Sequence, residues 1–116
     1  SANRILTSIN EGNNTLSSVV AIGGAAQCSL SLKTGLSGSV TSKVAFAFAK
    51  DDFASSDDGD TAVTDTSGTF EADSRRTLLA LGASVSGLSN NMTGHIKEFK
   101  YYPRRLTNAQ IEDLSS

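Results

Sequence analysis

Short runs in which apolar and polar residues alternate recur along most of the chain, separated by clusters of Gly, Asn, Ser and Asp. That period of two predicts strands rather than helices. Arg4 to Ile9 reads as a first strand, and Asn10-Glu11-Gly12-Asn13-Asn14 as a turn built from residues that tolerate positive φ. Thr15 to Ile22 follows, with Leu16, Ser18, Val20 and Ile22 in one phase, until Gly23-Gly24 breaks the run. Ala26 to Lys33 alternates cleanly and sets Ala26, Cys28, Leu30 and Leu32 on a core face. In Lys43 to Ala49 the bulky Val44, Phe46 and Phe48 alternate with small residues, a strand that can be covered on both faces. Asp51 to Ser56, the polar Asp57-Asp58-Gly59-Asp60 and Thr61 to Asp65 read as a hairpin. Thr77 to Leu81 is a further strand, and Gly35 to Ser42 and Ser84 to Asn91 are loops.

The stretch Gly94 to Tyr102 mixes β-branched and aromatic residues with charges, and predicts a long final strand. Pro103 has no amide hydrogen and ends it. Phe99 and Tyr101 share one phase and Ile96 the other, so a core position for all three requires a β-bulge near Lys97 and Glu98. A helix start comes next. Thr107 and Gln110 stand at the two positions of a capping box, and Leu106 and Ile111 at those of a hydrophobic staple, so a helical turn is expected within Thr107 to Leu114. Roughly seven or eight strands and one terminal helical turn make an all-β, antiparallel sandwich.

The run from Gly94 to Ile111 resembles the end of concanavalin A-like jelly rolls of the laminin G type. Their last strand reads Gly-x-Ile-x-Glu-hydrophobic-x-hydrophobic-Tyr, followed by x-Arg-x-Leu-Ser/Thr-x-x-Glu/Gln-Ile/Leu, and Gly94, Ile96, Glu98, Phe99, Tyr101, Tyr102, Arg104, Leu106, Thr107, Gln110 and Ile111 match it. With the hairpin ending in Val63-Thr64-Asp65-Thr66-Ser67-Gly68, the chain looks most like the jelly-roll domains of bacteriophage tail and other virion proteins. The resemblance implies a single domain over residues 1–116. It begins near Arg4, so the strands that open the family's fold are expected to be missing, and the chain to be the C-terminal two thirds of a domain. The opening Ser1 agrees with a processed product or an excised domain.

One hundred and sixteen residues suit one domain with one core. A net charge of −2 and a pI near 5.2 leave no electrostatic footprint for nucleic acid or an anionic membrane, and no apolar run is long enough to cross a bilayer as a helix. The lone Cys28 has no internal partner, so it reads as core packing, in keeping with assembly in a reducing bacterial cytoplasm.

The acidic group Asp57, Asp58 and Asp60 admits calcium, which takes oxygen ligands at flexible geometry. The ladder and distal Glu of an EF-hand loop are absent, and Asp58-Gly59 reads better as a primed hairpin turn; no other cofactor is expected. For glycosidase chemistry the near match is Glu71-Ala72-Asp73, but Arg75 stands where a second Glu would be needed, so no catalytic residue is assigned and no enzyme is expected. For glycan binding, Tyr102 is out of phase with Phe99 and Tyr101 and can face outward. With His95, Arg104 and Asn90 or Asn91 it forms the candidate carbohydrate cluster.

The resemblance implies a non-enzymatic virion module of a tail fibre, spike or capsid appendage, used for host-surface glycan recognition or for subunit association within a trimer of copies. An accessory carbohydrate-binding domain of a secreted bacterial glycosidase or a surface adhesin is the alternative, with an extracellular or cell-surface location. A purely structural decoration domain is the third. The edge near Arg4 to Ile9 is expected to pair with another polypeptide.

Overall fold

The structure is a computed structural model and describes residues 3–10, 12–38, 40–70, 79–82 and 92–116. β1 (Arg4–Asn10), β2 (Thr15–Ile22) and β3 (Ala25–Lys33) pair antiparallel in the order β1-β2-β3, and β4 (Val44–Ala49), β5 (Asp52–Asp57) and β6 (Val63–Asp65) pair antiparallel in the order β4-β5-β6. α1 (Asn108–Ser115) follows. This is the all-β sandwich that the alternation predicts.

Local chemistry sets the hairpins. Ile22 pairs with Ala25 across Gly23 and Gly24, whose φ values of 58° and 82° are those of a primed two-residue turn matched to strand twist. At the next tight connection Ala49 pairs with Asp52, and Asp51 takes the positive φ of 53°. Val20 pairs with Cys28 and Ala21 with Ala26, so Gln27 is left over as a bulge in β3, and Val20 and Ala21 are both buried beside it.

The two sheets meet through Val20, Cys28 and Leu30 on one side and the fully buried Phe53 on the other, with Phe46, Phe48 and Phe70 around them. The rings of Phe46 and Phe48 lie 5.5 Å apart and those of Phe48 and Phe70 5.2 Å, tilted as aromatic quadrupoles favour. The opposite face of the second sheet carries Ala47 and Ala54, and α1 packs there through Ile111, with Leu106 from the segment just ahead of the helix. Small alternate residues in β4 and β5 are what let a helix approach so closely, and the expectation of a strand covered on both faces holds for β4.

Between the sheets runs a line of hydroxyls. Thr7 Oγ1 and Ser18 Oγ are 3.0 Å apart, Ser18 Oγ and Ser55 Oγ 2.9 Å, and Ser55 Oγ donates to the Ala45 carbonyl at 3.3 Å. Ser18 and Ser55 are completely buried, and the chain of bonds satisfies them.

The C-terminal half departs from the sequence reading. The expected strand Gly94 to Tyr102, with its bulge near Lys97 and Glu98, has neither ladder nor helix among the described residues. Ile96, Phe99 and Tyr101 are 47%, 51% and 71% exposed instead of lying in the core, so the large cost of emptying a buried ring does not attach to Phe99. Strand composition sets a preference, but a strand exists only where a neighbour completes its hydrogen bonds. Of the expected strand Thr77 to Leu81, residues 77–78 lie outside the described residues, and 79–81 join no ladder. Ala26 is exposed at the hairpin end, beyond the reach of the facing sheet, whereas Cys28 and Leu30 are buried as expected. Glu71, Asp73 and Arg75 and the loop over 84–91 lie outside the described residues.

Candidate functional site

Between Tyr102 and the helix the chain is held by three local devices. Thr107 caps α1, accepting from Gln110 N at 3.2 Å while its own amide donates to Gln110 Oε1 at 2.9 Å, the capping box in full. Leu106 and Ile111, at 7% and 1% exposure, close the staple against the second sheet. Arg105 ties the helix entrance to the β4–β5 turn, its Nη2 donating to Asp52 Oδ1 at 2.7 Å and to Asn108 Oδ1 at 3.0 Å, while its Nη1 donates to the Leu106 carbonyl. Of the two adjacent arginines, Arg105 is therefore structural, and Arg104 is exposed.

These devices leave a groove of about 230 Å³ lined by Tyr102, Arg104, Leu106, Gln110, Asp113 and Leu114. Gln110, Asp113 and Leu114 share one side of α1 because residues three and four apart are neighbours on a helix. The lining combines an aromatic ring, a guanidinium, an amide and a carboxylate over an apolar floor, the mixture that fits a sugar's hydroxyls and its apolar ring face. Asp113 is the lone carboxylate among those lining residues, so the acid and nucleophile pair of a glycosidase is not assembled in the groove.

Two members of the expected carbohydrate cluster, Tyr102 and Arg104, are thus brought together. His95 is exposed and does not line the groove, and Asn90 and Asn91 lie outside the described residues. Gln110 and Asp113 escaped the sequence reading, although the capping box, once placed, puts both on the helix that follows.

The acidic turn has a different occupation. Asp60 N donates to the Asp57 carbonyl at 2.9 Å, with φ of 49° at Asp58 and 80° at Gly59, a primed turn in which both central residues are left-handed. Lys33 Nζ donates to Asp58 Oδ2 at 2.5 Å and lies 2.8 Å from Asp57 Oδ2, near enough for an ion pair though off the axis of a hydrogen bond. Lys43 N donates to Asp58 Oδ1 at 2.9 Å. The contacts to Asp57 and then Asp58 raise Lys33 above the ordinary lysine value, and the Lys33 hydrogen bond, followed by that from the Lys43 amide, holds Asp58 below the ordinary carboxylate value. Asp57 and Asp58 therefore face an ammonium from β3. Asp60 is exposed and turns its carbonyl to Ser56 Oγ at 2.6 Å, and among the described residues no group of three metal-ligating side chains converges.

Cys28 is buried, and desolvation with the nearby Asp65 charge pushes its thiol up to about 11, the opposite of what a nucleophilic cysteine needs.

No family model matches the chain, and no curated protein does. Among solved structures the chain is similar to the crystal structure of an S-layer domain-containing protein, residues 221–444, from Clostridium thermocellum ATCC 27405, with a TM-score of 0.57 and 14% identity. The match covers 99% of this chain and 64% of that one. At this identity the likeness speaks for the fold alone.

Proposed function

We propose that this chain is a non-enzymatic module of a virion appendage, a tail fibre, spike or capsid-attached domain, that recognises a host-surface glycan in the groove beside α1. The observation that carries the reading is the convergence of Tyr102, Arg104, Gln110 and Asp113 at one solvent-open groove. A ring face there stacks on a pyranose, while the guanidinium, amide and carboxylate take hydroxyls in pairs. The lone carboxylate of the lining favours binding over hydrolysis. The viral setting comes from the resemblance of the C-terminal motif.

A glycan array probed with the chain, followed by titration of any hit, tests the reading. Tyr102→Ala and Arg104→Ala are each expected to weaken binding about tenfold or more, by loss of stacking and of charge-assisted hydrogen bonds, whereas His95→Ala leaves it unchanged. Binding indifferent to Tyr102 and Arg104 overturns the groove assignment, and an array without hits favours a structural decoration domain. The same groove chemistry suits a second reading, the accessory carbohydrate-binding domain of a bacterial surface adhesin or secreted glycosidase. A catalytic domain or a shaft repeat elsewhere in the same polypeptide separates the two.

A further inference from the structure

Residues 94–102 form a surface that a compact monomer has no reason to keep. Ile96, Phe99, Tyr101 and Tyr102 are 47%, 51%, 71% and 40% exposed within nine positions, and no ladder among the described residues takes up their backbone. None of the residues from Met92 to Pro103 has a positive φ, so nothing in the backbone bars them from a strand.

We propose that this segment is the contact between two copies of the chain, which pair antiparallel about a two-fold axis through Phe99 and join their sandwiches through a shared ladder. The argument rests on charge and register. In an isologous antiparallel pair, opposed residues lie on the same face, so the axis must pass through a residue and not between two. An axis through Glu98 sets two carboxylates against each other, and one through Lys97 or Lys100 sets two ammonium groups together, arrangements that cost stability. An axis through Phe99 opposes Glu98 to Lys100 of the second copy, twice by symmetry. It also sets Phe99 against Phe99, Lys97 against Tyr101 and Ile96 against Tyr102 of the second copy. One face of the ladder then carries apolar contacts flanking two ion pairs, and the other an aromatic pair flanked by cation–π contacts. Within one copy Lys100 Nζ already lies 3.1 Å from Glu98 Oε1, an exposed pair that the second copy extends into a group of four alternating charges. Tyr101 and Tyr102, which face Lys97 and Ile96 of the second copy, are of a residue type enriched where association energies concentrate.

The proposal goes beyond glycan recognition and is tested separately from it. Sedimentation velocity across a concentration series is expected to find a reversible dimer. Glu98→Lys and Lys100→Glu are each expected to weaken self-association by about tenfold or more, because each puts two like-charged pairs in the ladder. An equimolar mixture of those two variants is expected to regain the dimer as a heterodimer. One copy then carries two ammonium groups at these positions and the other two carboxylates, so both facing pairs are again of opposite charge. Arg104→Ala, a groove residue outside the ladder, leaves association intact. A monomer at all concentrations overturns the proposal, as does a trimer, because isologous pairing closes at two. Single variants that associate like the parent, or a mixture that does not recover, overturn it as well. The substituted side chains are exposed, and an unchanged circular dichroism melt confirms that each variant folds.

Discussion

Gly68 shows how a single position can be decided by its neighbours. Its φ is 143°, and a Cβ built there would sit 2.5 Å from the Gln27 carbonyl oxygen and 3.0 Å from the Phe53 ring. The backbone is locked in that place: Asp51 N donates to the Gly68 carbonyl at 3.0 Å, Gly68 N to Asp51 Oδ1 at 2.9 Å, and Thr69 N to Gln27 Oε1 at 3.1 Å. The strain has nowhere to relax, because the obstructing atom is main chain. Gly68→Ala is expected to lower stability by about 2 kcal/mol or more, combining an unfavourable φ with overpacking, as measured by urea unfolding. The same substitution at Gly94, which has open space around its would-be Cβ and no positive φ, serves as the neutral control.

At the scale of elements, β3 and the β5–β6 turn are joined by Lys33. Asp57 is 4% exposed at its side chain and has that ammonium 2.8 Å from its Oδ2. Lys33→Met is expected to lower Tm by several degrees, since one partner's removal leaves a buried carboxylate without compensation. The pH dependence has a definite sign. Asp58 has a folded pKa below its ordinary value of 3.8, so its contribution to stability is present above that value and is lost as pH falls through the folded value. Thermal melts from pH 7 to pH 2 should therefore show the loss in the parent and a smaller one in Lys33→Met. Calcium or a chelator should leave Tm unchanged, because the ammonium already answers the carboxylates; a calcium-dependent rise of several degrees would reverse that assignment.

In the whole molecule, the second sheet is the central layer. Phe53 and Ser55 of β5 face the first sheet while Ala54 and Ser56 face α1, where Ser56 Oγ and Ser115 Oγ are 2.8 Å apart. Ile111 is the largest side chain that the helix buries there, at 1% exposure. Ile111→Ala is expected to cost about 2 to 5 kcal/mol in chemical denaturation, with the helix and the groove beside it failing together. A loss below about 1 kcal/mol would mean that α1 is an ornament on a sandwich that holds itself.

The parts legible in the sequence were those governed by near neighbours. Alternation placed β1 to β5 and the buried Cys28 and Leu30; Gly23-Gly24 announced a break and Asp58-Gly59 a primed turn, because few residues accept positive φ; and Thr107, Gln110, Leu106 and Ile111 specified a helix start, because capping is settled within one turn. Tyr102 was named from the phase of a final strand that forms no ladder among the described residues; it lines the groove with Arg104 because both lie just ahead of that helix. The fate of Gly94 to Tyr102 was not readable, since a strand-forming composition does not say whether a partner strand is in reach, and the burial of Phe99 depends on that partner. Nor could the sequence tell that Lys33 would meet Asp57 and Asp58, or that Ser18 would meet Ser55 across 37 positions, since such distant contacts arise only when two sheets stack and bring their facing side chains into one register.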